Sequence, residues 1–165
     1  MYEGGNMVSV SLDILEDSLV KKLDVMNKIE AENEKQKEIL KNPDEVDFDA
    51  FDKTLDDKGA LVDELLKLDD GFQSLFDNVK AEVGNNKELY KDQIKRMQDL
   101  IKEITGKSAS IEVAEYRNKK LAENYFSTAR QQMNQGKQVS AAAFNYYKTM
   151  SNFQNIPPQY LDDKH

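Results

Sequence analysis

The chain has 165 residues, of which 31 are acidic and 23 basic, for a net charge of −8, and 39% are apolar, which is lean for a globule. It has no Cys and one His, His165, so it offers no disulfide framework, thiolate zinc site, cysteine nucleophile or Glu-x-x-His di-iron motif. Its longest apolar run is Ala141 to Phe144, which excludes membrane insertion, and Met1-Tyr2-Glu3-Gly4-Gly5 lacks the basic and apolar regions of a secretory signal, so a cytoplasmic location is expected.

No proline lies between Pro43 and Pro157, so long helices are expected rather than turn-punctuated strands. The first helix is predicted over about 8–41, with Ser9 or Ser11 as its cap. Val8, Leu12, Leu15, Leu19, Met26, Ile29 and Leu40 form its seam, interrupted by Lys22, Asn33 and Gln36. The seam fades between Ala31 and Glu38, so that end should be weakly packed or should pack on a partner. Asn42-Pro43 stops the helix.

A second helix is predicted over about 44–84. Asp44, Glu45, Asp47 and Asp49 suit its positive N-terminal end, and its stripe includes Phe48, Phe51, Leu55, Val62, Leu65, Leu68, Phe72, Val79 and Val83. Gly59 and Gly71 inside it mark a close approach or a kink, and Gly84-Asn85-Asn86 is its stop. The third helix, about 87–134, carries Ile94, Met97, Ile101, Ile104, Ile111, Ala122, Tyr125 and Ala129, and Gly136 ends it. The fold expected is all-α: an elongated antiparallel three-helix bundle or coiled coil with a very long third helix. It occupies 1–136, and 137–165 is a short C-terminal helix or tail that binds a partner or is flexible.

Charge is unevenly spread. Residues 1–84 hold 22 acids and 10 bases, net −12, and residues 85–165 hold 9 acids and 13 bases, net +4. Complementary packing of acidic helices on a basic one is the simplest account. From Asn124 to Leu161 there is no Asp or Glu, yet this stretch carries seven of the fourteen aromatics: Tyr125, Phe126, Phe144, Tyr146, Tyr147, Phe153 and Tyr160. Aromatics without acids suit an interface, whose centre is depleted of charge. The simpler account is that Tyr125 and Phe126 finish the core.

Chemical motifs are missing. Counted from Asp47, an EF-hand loop would need an oxygen ligand where Phe51 stands and Gly where Asp52 stands, so calcium is not expected. There is no phosphate-binding glycine loop. Paired carboxylates such as Asp56-Asp57 and Asp69-Asp70 are ordinary in so acidic a chain. The aromatic segment has only Arg130, Lys137 and Lys148 as cations, too few for nucleic acid. An enzyme is not expected, and no cofactor or metal is implied.

Three stretches carry a family resemblance: Asp57-Lys58-Gly59-Ala60-Leu61-Val62-Asp63-Glu64-Leu65-Leu66-Lys67-Leu68-Asp69-Asp70-Gly71-Phe72; Tyr116-Arg117-Asn118-Lys119-Lys120-Leu121-Ala122-Glu123-Asn124-Tyr125-Phe126; and Phe144-Asn145-Tyr146-Tyr147. Over roughly 8–150 the chain resembles the FlgN-type flagellar export chaperones, which are small, acidic, cytoplasmic helical proteins. The resemblance implies binding to the C-terminal helical region of hook–filament junction (hook-associated) proteins, prevention of their early assembly, and delivery to the type III export machinery. By position it puts cargo contact on Asn118, Leu121, Tyr125, Phe126, Phe144 and Tyr147, and Phe153 joins them from the acid-free aromatic stretch. Where the family often has a Gly after its late Tyr, this chain has Lys148-Thr149-Met150. The FliT-type chaperones of the filament cap protein are similar in architecture, and a structural coiled coil acting by homo-oligomerisation is the reading from a different class.

Overall fold

A computed structural model describes residues 2–136, with side chains except those of residues 2–9 and Asn85. The elements are α1 (Tyr2–Leu40), α2 (Phe48–Asp69), α3 (Phe72–Val83), a 3-10 stretch (Gly84–Tyr90) and α4 (Lys91–Asn134). No strand occurs among the described residues, and the fold is an all-α helical bundle.

The breaks follow local chemistry. The Asn42-Pro43 stop holds, and α1 ends at Leu40. Helix α1 starts at Tyr2, ahead of the expected Val8, so Ser9 and Ser11 lie inside it. Helix α2 starts at Phe48, not at 44, because Asp47 Oδ1 accepts the Ala50 N–H at 3.1 Å and acts as the N-cap. Asp44 and Glu45 sit in the preceding loop rather than in a first helical turn.

The expected helix of 44–84 is two helices. Gly71 lies between them in the left-handed region, φ 77°, a backbone that a side chain at this position would resist. Gly59, by contrast, is helical, and nothing lies within 4 Å of where its Cβ would be, so it marks neither a kink nor a close approach. Gly84 terminates α3, its N–H bonded to the Lys80 carbonyl. The chain then continues as a 3-10 stretch through a non-helical Asn86, so α4 begins at Lys91 rather than near Lys87. Gly136, φ 78°, follows the end of α4 and donates its N–H to the Met133 carbonyl.

The described residues form two compact units, one of 2–28 and 61–109, the other of 29–60 and 110–136. The first buries Leu12, Leu15, Leu19, Val25, Met26, Leu65, Val79, Val83, Met97 and Ile104. The predicted seams are therefore real here, although Ile101 is exposed. Gln93 meets Asp13 and Arg96 meets Glu16, so within this unit α4 runs parallel to α1. Lys22 reaches back to Asp69 at 2.7 Å.

In the second unit Lys58 meets Gln36, while Phe51, earlier in α2, clusters with Leu40, later in α1, so α2 is antiparallel to α1. Asn118 of α4 meets Asn33, and Tyr125 and Phe126, further along, join the Leu40 cluster, so α4 again parallels α1. The charge split is used in both units: Arg96 and Arg117 of α4 face Glu16 and Glu34 of α1.

Candidate functional site

The residues singled out on α4 fall in the second unit, and the site builds from there. An aromatic cluster closes one end, formed by Leu40, Phe48, Phe51, Tyr125 and Phe126, with Ile39, Val46, Leu55, Leu121 and Ala122 packed against it. Phe51 meets both Phe48 and Phe126 edge-on, each at a centroid distance of 6.2 Å, the geometry that ring quadrupoles favour. Burial pushes the Tyr125 hydroxyl above its ordinary pKa.

Next along the helices comes a layer of buried polar side chains: Glu32, Asn33 and Gln36 from α1, Thr54 and Lys58 from α2, and Asn118 from α4. Asn118 Nδ2 donates to the Asn33 carbonyl at 2.9 Å and to Gln36 Oε1 at 3.1 Å. Lys58 Nζ donates to Gln36 Oε1 at 3.2 Å and pairs with Glu115 at 2.5 Å. Burial pulls the Lys58 ammonium below its usual pKa, with Glu115 opposing. Arg117 borders the layer, donating to Asn118 Oδ1 at 3.1 Å and lying 3.6 Å from Glu34.

This layer replaces the fading seam expected between Ala31 and Glu38. Asn33 and Gln36 are only 1% and 2% exposed, so that end of α1 is tightly packed. A carboxamide at a seam position is polar but not excluded, provided other helices supply partners. Lys58 and Asn118 supply them for Gln36 Oε1, whereas Asn33 engages Asn118 only through its backbone carbonyl; neither partner is visible in the pattern of α1 alone.

Of the expected contact residues, Asn118, Tyr125 and Phe126 face inward and are buried. Leu121 is partly buried against the aromatic cluster. The surface of the two aromatics is thus spent on the unit's own core, the simpler of the two accounts of them. Phe144, Tyr147 and Phe153 lie outside the described residues, as does the whole expected C-terminal segment of 137–165.

On the outside of this unit α1 and α2 form an open groove of about 560 Å³, with Ala31, Ile39, Ala50 and Thr54 among its lining residues. Glu34, Lys35, Lys53 and Asp57 also line it. Lys35 pairs with Glu32 and Lys53 with Asp57, which holds the Lys53 ammonium above its usual pKa. Among the described residues no group of three or more His, Cys, Asp or Glu side chains is arranged to hold a metal ion. No described helix is long and apolar enough to cross a membrane.

What the arrangement can do chemically is bind by shape and apolar contact, through a helix face or a groove. The chain matches no family model, no curated protein and no solved structure.

Proposed function

We propose that the chain is a non-enzymatic, cytoplasmic export chaperone of flagellar assembly. In this reading it binds the C-terminal helical region of hook–filament junction proteins and keeps them from assembling early. One observation carries the reading: from Asn124 on α4 through Leu161 the chain has no acid and half of its aromatics. The three stretches resembling FlgN-type chaperones support it, and an all-helical scaffold suits a cargo that presents an amphipathic helix. Because Asn118, Tyr125 and Phe126 are occupied in the core, cargo contact falls first on Phe144, Tyr147 and Phe153.

The test is truncation after Gly136, with affinity for a purified junction-protein C-terminal fragment measured by calorimetry. A loss of at least about tenfold, about 1.4 kcal/mol, is expected. Unchanged affinity would remove the aromatic segment from the mechanism. A filament-cap fragment in the same assay separates the FlgN-type from the FliT-type reading.

A second reading has its own observation. Val10 and Ile14, one turn apart on α1, are each more than half exposed, as is Leu89. A second copy of the chain covering such positions would make this a structural oligomer. Light scattering across a concentration series decides it, and a persistent monomer rejects it.

A further inference from the structure

The polar layer of the second unit is incompletely satisfied. Glu32 Oε1, both polar atoms of the Asn33 carboxamide and Gln36 Nε2 are buried without a hydrogen-bond partner. Such atoms are rare in folded proteins, and each bears a desolvation penalty. Along the helices the layer lies between apolar levels, Ile29 and Ile111 on one side and the Leu40, Phe51 and Phe126 cluster on the other.

We propose that this layer is a built-in opening. At it the 111–118 segment of α4 parts from α1 and α2, while the aromatic cluster, with Leu121 and Ala122 packed on it, stays closed as a clamp. Separating two apolar surfaces forfeits their whole transfer free energy. Separating this layer returns water to the Asn33 and Gln36 carboxamides and to Glu32, and rehydrates the Lys58–Glu115 pair, so opening costs less here than across the same area of Leu. The depressed pKa of Lys58 reports the same burial penalty.

The mobile partner is α4 because its hold on this level is made of exchangeable bonds. Asn118 grips Asn33 and Gln36, Glu115 grips Lys58, and Arg117 lies near Glu34. Helices α1 and α2, in contrast, are tied by the short connection between Leu40 and Phe48. Opening presents Asn118 and its neighbours to an incoming surface without unfolding the helix. The inference concerns the chain alone and stands whether or not the chaperone reading does.

The absence of Cys makes the test direct, since one introduced thiol is then the chain's only one. Ile111→Cys and Leu40→Cys each place a thiol at a buried aliphatic site of this unit, one beside the layer and one in the clamp. Native-state labelling by a thiol reagent is expected to be at least about tenfold faster at Ile111→Cys than at Leu40→Cys, and insensitive to low urea. Adding Asn33→Leu and Gln36→Leu to Ile111→Cys is expected to slow its labelling by a similar factor. Equal labelling of the two single variants overturns the proposal, and so does an unslowed rate in a folded apolar-layer variant. Should that variant lose its helical circular dichroism, the comparison of the two single variants decides alone.

Discussion

In the unit of residues 1–28 and 61–109 the buried side chains are aliphatic, and the polar contacts Arg96–Glu16, Gln93–Asp13 and Lys22–Asp69 lie outside that core. In the unit of residues 29–60 and 110–136 the core holds Phe48, Phe51, Tyr125 and Phe126, and every buried polar side chain among the described residues lies in it. Both are built from stretches of the same long helices, yet they use polarity in opposite places. A polar group at the rim chooses partners at small energetic cost, whereas one inside must find its partner or bear the penalty. Register is the property such buried groups are best attested to set.

The largest expected effect tests whether the aromatic cluster anchors its unit. Phe51→Ala should destabilise by about 4 kcal/mol and Leu15→Ala, in the aliphatic core, by about 3 kcal/mol, both read from urea unfolding. A Phe51→Ala cost below that of Leu15→Ala would reverse the ranking of the two cores.

The next test asks what the buried charge does. Lys58→Met leaves Glu115 without its partner and should cost about 3 kcal/mol, whereas Lys58→Met with Glu115→Leu should return to within about 1 kcal/mol of the parent. A double variant as damaged as the single one would show that the pair contributes net stability instead of merely offsetting its own burial.

The smallest effect belongs to the rim. The Arg96 guanidinium holds the Glu16 carboxyl below its ordinary value of 4.5, so its contribution is present above that value and is lost as pH falls through the lowered one. Both side chains touch solvent, so Glu16→Gln should cost under about 1 kcal/mol at neutral pH and less in high salt. A salt-insensitive loss would place this pair with the buried kind.

Much of the fold is legible in the sequence because its stops are local. Pro43, Gly84 and Gly136 end helices through their own backbone chemistry, and Leu12, Leu15, Leu19 and Ile29 repeat at helical spacing. The division at Gly71 is not legible, since Gly59 sits in the same apolar pattern and remains helical. What differs is tertiary: just before Gly59, Lys58 is held by Gln36 and Glu115, whereas the Gly71 region is exposed. The polar layer was equally hidden. Asn33 and Gln36 interrupt a periodicity, and their partner Asn118 lies more than 80 residues away. The aromatics of α4 read as interface residues because a ring that meets its own chain and one that meets another are written with the same letter.

The sequence distances spanned by the contacts also set the order in which the helices can meet during synthesis. Lys58 and Gln36 are 22 residues apart, whereas Arg96 and Glu16 are 80 apart, and Asn118 and Asn33 are 85 apart. At roughly 5–20 residues per second of synthesis, the α1–α2 hairpin waits seconds for the helix that completes it. During that wait its open side displays carboxamides and a lysine beside Phe48 and Phe51, rather than an unbroken apolar stripe. Water can solvate those polar groups until α4 covers them.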